Sequence, residues 1–134
     1  MQQVVKDWDD LDIFRAAGMR IGESYVRITK SSTFLFSSGF MHEAKLKDIS
    51  HVVLGYSIKK KAIIFQFTSD AKAPGAHKVV QRSNNGSCGS RSFFNYYFLK
   101  PQELEGRYIP KNEKVPKIGN IWVIYLDQKQ TILS

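Results

Sequence analysis

The sequence predicts an α+β domain in which short strands dominate, built either as a small barrel or as a sheet with short helices. Runs rich in Val, Ile, Phe and Tyr recur along the chain, turn residues separate them, and the segments with helical spacing are short. A chain of 134 residues with 43% hydrophobic residues can bury one ordinary core. We therefore expect a single domain over residues 1–134.

The first predicted element is an acidic leader, residues 1–17. Trp8, Leu11 and Phe14 recur at steps of three, and aspartates fill the first turn, where the helix dipole favours negative charge. This spacing predicts a short helix whose apolar side fills the core. Alternatively, the leader docks on a partner, because its segment 10–14 resembles the Gln-Leu-Asp-Leu-Phe type peptides that bind bacterial sliding clamps. A further alternative is that the leader covers the basic body of the chain, because acidic-hydrophobic segments can mimic nucleic acid.

Residues 24–68 follow with the order strand, strand, helix, strand, strand. Alternation of apolar and polar side chains indicates the strands, and apolar residues at helical spacing indicate the helix. We expect strands at residues 25–30, 33–36, 51–56 and 62–68, with the helix at residues 40–48 and a hairpin turn at residues 57–61.

Residues 77–126 repeat a similar order after a loop. The pattern predicts a strand at residues 77–82, a small polar loop at residues 83–90, a helix at residues 93–99, and a hairpin between residues 106–109 and 120–126. A long basic loop between Pro110 and Pro116 joins the strands of this hairpin. Residues 127–134 are expected to form a frayed tail.

The two halves share a local sequence echo. Lys30-Ser31 leads to Ser38-Gly39-Phe40, while Arg82-Ser83 leads to Ser90-Arg91-Ser92-Phe93 with one extra residue. One interpretation is a tandem duplication, with unit one at residues 24–68 and unit two at residues 77–126. The other is ordinary helix capping, since Ser before an aromatic residue is common at helix starts.

Residues 25–67 resemble the AbrB and MazE type swapped-hairpin domains. The resemblance rests on Val26-Arg27-Ile28-Thr29-Lys30, Phe34-Leu35-Phe36-Ser37, His51-Val52-Val53-Leu54-Gly55-Tyr56 and Ala62-Ile63-Ile64-Phe65. It implies a DNA-binding, transcription-regulator-like role, and a tandem copy would make a pseudo-dimer. Residues 51–90 with the following helix are also similar to a Whirly-type single-strand-binding unit. Both resemblances imply nucleic acid, with DNA favoured over RNA.

Charge is distributed unevenly along the chain. The net charge is +8, yet residues 7–12 hold four aspartates and no base, whereas residues 59–117 hold twelve Lys or Arg against four acids. A clustered positive field concentrates anionic partners, which makes nucleic acid the first candidate. The alternatives are a small interaction or inhibitor protein that docks its basic face on an acidic protein, and a charge that serves solubility alone.

The candidate nucleic-acid-binding residues lie near predicted strand ends and in loops. Basic side chains can neutralise phosphates, and nearby aromatic rings can stack on bases, although aromatic residues at helical spacing are more often core. The basic candidates are Arg27, Lys30, Lys59, Lys60, Lys61, Lys78, Arg82, Arg91, Lys111, Lys114 and Lys117. The interleaved aromatic residues are Tyr25, Phe93, Tyr96 and Tyr97.

The polar segment at residues 83–92 precedes a predicted helix. Free backbone N–H groups at a helix start attract phosphate, and Arg91 would add a charged fork. The segment lacks the Gly-Lys-Ser/Thr ending of a phosphate-binding loop. A flexible turn with a helix cap is the simpler interpretation.

A catalytic role is not expected. Gly86-Ser87-Cys88-Gly89-Ser90 superficially resembles a nucleophile elbow, so a cysteine hydrolase is a third, distant hypothesis. An active-site cysteine needs a partner histidine and a lowered pKa, and the spacing of the histidines in the sequence demonstrates neither for Cys88. The three histidines lack metal-ligand spacing, so no metal or other cofactor is expected.

The cysteine count and the apolar runs predict the compartment. A lone cysteine excludes an internal disulfide, which favours a reducing, cytoplasmic location. No signal-like start and no membrane-spanning run is present, so no membrane partner is expected. A monomer and a homodimer are both compatible with the sequence.

Overall fold

The computed structural model describes residues 23–130, so the predicted leader helix at residues 1–17 and the end of the predicted tail lie outside the described residues. The described part is a small α+β protein, as predicted, with two antiparallel five-stranded sheets and short helices. Its elements are β1 (Val26–Ile28), β2 (Thr33–Phe36), α1 (Ser38–Glu43), β3 (His51–Ser57), β4 (Ala62–Thr68), β5 (Ala76–Lys78), β6 (Val80–Arg82), β7 (Asn85–Gly89), α2 (Arg91–Tyr96), α3 (Pro101–Leu104), β8 (Gly106–Tyr108), β9 (Lys111–Val115) and β10 (Gly119–Tyr125).

Sheet 1 has the strand order β6-β7-β2-β1-β8, and sheet 2 has the order β5-β3-β4-β10-β9. The chain passes between the sheets three times: through α1 between β2 and β3, at Val79 between β5 and β6, and at Ile109-Pro110 between β8 and β9. The predicted barrel is wrong, because the strands form two separate sheets. Pro110 has no backbone N–H to donate to a neighbouring strand, and it lies between the end of β8 and the start of β9.

The core lies between the two sheets and is rich in aromatic side chains. Phe34 and Phe36 of β2 are fully buried against Phe65 of β4, at ring-centroid distances of 5.0 and 5.8 Å in edge-to-face geometry. Phe93 and Phe94 of α2 extend the same cluster. Each buried Phe side chain contributes about 1.5–3 kcal/mol through the apolar area it removes from water.

Corresponding hairpins of the two halves lie side by side. The β1–β2 hairpin pairs with the β6–β7 hairpin through β2 and β7, and the β3–β4 hairpin pairs with the β9–β10 hairpin through β4 and β10. Each helix between them ends in the same way. The N–H of Leu46 donates to Met41 O after α1, and the N–H of Leu99 donates to Phe94 O after α2, both at 2.9 Å.

Several predicted boundaries need correction. The polar loop predicted at residues 83–90 contains strand β7, and the basic loop predicted before Pro116 contains strand β9. The partner predicted for residues 120–126 is wrong, since β10 pairs with β4 and β9 whereas β8 pairs with β1. The helix predicted at residues 40–48 instead spans Ser38–Glu43.

No helix within residues 23–130 has both the length and the apolar character that a bilayer crossing requires.

Candidate nucleic-acid interface

The predicted basic residues are distributed over both sheets and their turns. Every one of them is exposed except Arg27, which is half-buried. Four of them lie in sheet 1 or next to it: Arg27 of β1, Lys30 of the β1–β2 turn, Arg82 of β6 and Arg91 of α2. The other seven belong to sheet 2 or its turns: Lys59, Lys60 and Lys61 of the β3–β4 turn, Lys78 of β5, Lys111 and Lys114 of β9, and Lys117 of the β9–β10 turn.

One cross-strand row of outward-facing side chains crosses the whole of sheet 1. Its members are directly paired from strand to strand, so their side chains share one face of the sheet. In order from β6 to β8 the row consists of Val80, Ser87, Leu35, Arg27 and Arg107.

This face carries a groove of about 810 Å³, which we call the sheet 1 groove. Asn85 and Ser87 of β7 and Leu35 of β2 lie between Arg82 on edge strand β6 and Arg107 on edge strand β8. Four strand spacings separate the two edge strands, a distance of about 19 Å. The groove therefore has uncharged side chains of β7 and β2 between two guanidinium groups, and one acidic residue, Glu23, also lines it.

Arg107 is held over an aromatic ring at the β8 side of the groove. Its guanidinium carbon lies 4.2 Å from the ring centroid of Tyr25, which is a cation–π contact. The neighbouring Arg27 places Nη2 3.4 Å from the Glu105 carboxylate. Among residues 23–130 this is the one ion pair, so the other basic side chains of this part of the chain have no carboxylate within ion-pair distance.

Sequence reasoning missed Arg107, although it lines the groove and Lys30 and Arg91 do not. Nothing near Arg107 in the sequence marks it as a site residue. Its significance comes from the pairing of β8 with β1, which joins segments about eighty residues apart and has no local signal.

The lysines of sheet 2 do not lie in this groove. Lys59, Lys60 and Lys61 form the exposed tip of the β3–β4 hairpin, where the pattern predicted them. Lys111 on edge strand β9 places its ammonium nitrogen 5.7 Å from the ring centroid of Tyr125. Charged side chains on an edge strand also prevent pairing with other chains, so part of this charge has a structural use.

The aromatic candidates divide between core and surface. Phe93 is buried, as the core interpretation predicted, and Tyr97 is half-buried against Tyr56 at a centroid distance of 5.3 Å. Tyr96 is 75% exposed and Phe98 is 91% exposed. The end of α2 therefore presents two large apolar rings to solvent.

The segment at residues 83–92 is not a free anion-binding loop. Strand β7 lies between β6 and β2, so both of its edges are hydrogen-bonded. Ser90 makes no side-chain cap to α2, and its hydroxyl donates to Cys88 O at 3.3 Å. The backbone of residues 85–89 is therefore used in strand pairing and does not form a phosphate-binding loop.

The Cys88 thiol points into the core. The residue is 1% exposed, and burial raises the pKa of the thiol, whereas an activated nucleophile needs a lowered one. The hydrogen-bond partners of the sulfur are Gly89 O and Ser90 Oγ, and no histidine of residues 23–130 is among them. Within residues 23–130 no group of three His, Cys, Asp or Glu side chains is arranged to hold a metal ion.

Comparison with known protein families, with curated proteins and with solved structures gave no match to this chain. The resemblance to the swapped-hairpin and Whirly-type domains therefore stays a prediction, and the case for function rests on the residues themselves.

Proposed function

We propose that this protein is a non-catalytic nucleic-acid-binding module, and that the sheet 1 groove receives the phosphate backbone. The observation that carries the proposal is the placement of Arg82 and Arg107 on the two edge strands of the groove. A strand of nucleic acid laid across the sheet would meet a guanidinium group at each side. Between them, Asn85 and Ser87 offer polar groups without negative charge.

The electrostatics support a polyanion as the partner. The net charge of +8 is carried largely by exposed side chains, and one ion pair is formed among the described residues. Such a field speeds the association of anionic ligands and raises their local concentration. The lysines of sheet 2, including Lys59, Lys60 and Lys61, would add sequence-independent phosphate contacts outside the groove.

We also propose that the two halves are tandem ββαββ units, at residues 24–68 and 77–126. Three features support this arrangement: the side-by-side hairpins, the two six-residue helices, and helix ends that match at a constant spacing of 53 residues, as in Leu46 and Leu99. The sheet 1 groove would then cross the junction between the units, since β2 belongs to the first and β7 to the second.

DNA is the proposed form of nucleic acid, and the cytoplasm the proposed location. The first choice follows the resemblance to swapped-hairpin domains. The second follows from Cys88, a free and buried cysteine, which fits a reducing compartment.

Fluorescence anisotropy with labelled oligonucleotides, single-stranded and duplex, tests the proposal. We expect binding that weakens steeply as salt rises, because phosphate neutralisation releases counterions. Arg82→Glu should weaken binding about tenfold or more, since it reverses a charge at the groove. Lys72→Glu, in the loop between β4 and β5, changes the net charge equally and is the matched control. Absence of binding at low salt to either form of DNA and to RNA would refute the proposal.

A second candidate is a small interaction protein that docks on an acidic protein. The exposed rings of Tyr96 and Phe98 favour it, because large apolar side chains in solvent often mark protein contacts. A pull-down from native lysate with and without nuclease separates the two candidates. Partners that vanish with nuclease support nucleic acid, and a partner retained after nuclease supports protein docking.

A further inference from the structure

Two arginines face each other directly across the β1–β8 ladder. Arg27 pairs with Arg107 in register, on the outer face of sheet 1. Like charges placed directly opposite each other destabilise a sheet. Glu105 lies within ion-pair distance of Arg27 alone, so Arg107 has no carboxylate partner among residues 23–130.

The Nε–H groups of the same two side chains also lack hydrogen-bond acceptors. The Nε atoms of Arg27 and Arg107 are both buried, and neither has a partner in the described structure. A buried N–H group without an acceptor is unfavourable, and most such groups in folded proteins are satisfied. Excess positive charge and unused donors therefore occur together at one place.

The place is open to a ligand from solvent. The Arg27 side chain is 41% exposed, and Arg107 lines the sheet 1 groove. The stacking of Arg107 on Tyr25 restrains its guanidinium at the groove wall without using an acceptor.

We propose that Arg27 and Arg107 together bind one phosphate group, that Tyr25 positions Arg107, and that Glu105 occupies Arg27 until the phosphate displaces it. One bidentate arginine satisfies the two oxygens of a carboxylate, whereas two adjacent guanidinium forks require the larger set of acceptors that a phosphate carries. The inference deepens the proposed function and rests on it for the source of the phosphate. That source is an internal phosphodiester, a terminal phosphate or a free nucleotide.

The first experiment measures the arginine Nε–Hε signals by NMR during titration with inorganic phosphate, against chloride at equal ionic strength. We expect phosphate to change the Nε–Hε chemical shifts of both Arg27 and Arg107. The chemical shift of Arg91 on α2 should be the same in phosphate as in chloride. Unchanged signals for the Arg27–Arg107 pair would overturn the proposal.

The second experiment compares variants in the same phosphate titration. Arg27→Lys and Arg107→Lys keep the charge and lose the fork, and each should weaken phosphate binding about tenfold. Glu105→Gln should tighten it, because the competing carboxylate is removed. Lys72→Gln loses a charge elsewhere and should leave it nearly unchanged. Wild-type affinity in both lysine variants would contradict the assignment.

The third experiment identifies the source with oligonucleotides bearing a 5′-phosphate or a 5′-hydroxyl, and with a mononucleotide. Loss of affinity in Arg107→Lys for both oligonucleotides indicates an internal phosphodiester, and loss for the phosphorylated one alone indicates a terminal phosphate. If oligonucleotides bind but both lysine variants behave as wild type, the proposed function stands and this site fails. If phosphate moves the arginine signals but no oligonucleotide binds, the site stands and the proposed function fails.

Discussion

Lys45 and Phe98 occupy the same backbone position in the two halves of the chain. Each lies two residues beyond a six-residue helix, each has φ of 56°, and each N–H donates at 3.2 Å to a carbonyl of its own helix. Glycine is the usual residue at such a left-handed helix end. A bulky residue in this conformation is strained, and Phe98 is bulky and 91% exposed.

The first prediction follows from this strain. Phe98→Gly should raise the free energy of unfolding by up to about 1 kcal/mol, because glycine adopts positive φ without a Cβ clash. Phe98→Ala removes the ring but keeps the strain, so it should leave stability nearly unchanged. Urea denaturation of both variants measures the difference. A stability loss in the alanine variant would instead show that the ring packs against the fold.

Gly55 supports the second prediction, through its contact with the paired strand. A Cβ at Gly55 would lie 2.7 Å from Cγ1 of Ile64, which faces it directly across the β3–β4 ladder. Gly55→Ala should therefore cost about 1–3 kcal/mol by overpacking. In the double variant Gly55→Ala, Ile64→Ala, the alanine at position 55 should cost much less. Chemical denaturation of the four proteins completes the cycle, and additive losses would refute a steric cause.

The sequence predicts a strand well where apolar and polar side chains alternate within that strand. The hairpins β1–β2 and β3–β4 follow from Val, Ile and Phe at alternating positions. Strand β7 was predicted as a loop, because Asn-Gly-Ser-Cys-Gly has little strand preference. It becomes a strand through its central place between β6 and β2. Its small residues have a packing reason, since a Cβ at Gly86 would lie 3.2 Å from Met41 Sδ of α1.

The candidate site was predicted in part, for the same physical reason. Arg27 and Arg82 were predicted to lie near strand ends, and they belong to strands β1 and β6 of sheet 1. Arg107 joins the site only through the pairing of β8 with β1. Strand β9 was not predicted, because its sequence is polar and charged, as the sequences of edge strands often are. The pairing of strands that are distant in the sequence decides which basic residues share a face of the sheet. The local pattern of apolar and polar residues carries no information about that pairing.

The third prediction concerns the thiol of Cys88. Because the side chain is buried and its pKa is raised, labelling by a thiol reagent at neutral pH should be slow and should follow unfolding of the domain. Cys88→Ser should leave nucleic-acid binding intact. Labelling rates with increasing urea, beside unfolding measured by circular dichroism, provide the check. Fast stoichiometric labelling near pH 6 would indicate an activated cysteine and would revive the hydrolase alternative.

The last prediction concerns stability at alkaline pH. Tyr108 is buried, its hydroxyl donates to Leu104 O at 2.6 Å, and burial raises its pKa from the ordinary value of 10.0 to about 12. The unfolded chain releases this proton more readily than the folded chain, so the contribution of Tyr108 to stability is fully present below pH 10 and is lost as the pH rises from 10 towards 12. Each unit of pKa difference corresponds to about 1.4 kcal/mol, which makes the loss measurable as a fall in the urea midpoint.

Tyr108→Phe is the matched variant for this measurement. It should be less stable by about 1 kcal/mol at neutral pH, because the hydrogen bond to Leu104 is lost. It should also lose less stability than the wild type above pH 10, since the shifted group is gone. Tyr96→Phe, at an exposed ring, controls for the other tyrosines. Parallel falls of the wild-type and Tyr108→Phe midpoints between pH 10 and 12 would show that Tyr108 ionisation does not limit alkaline stability.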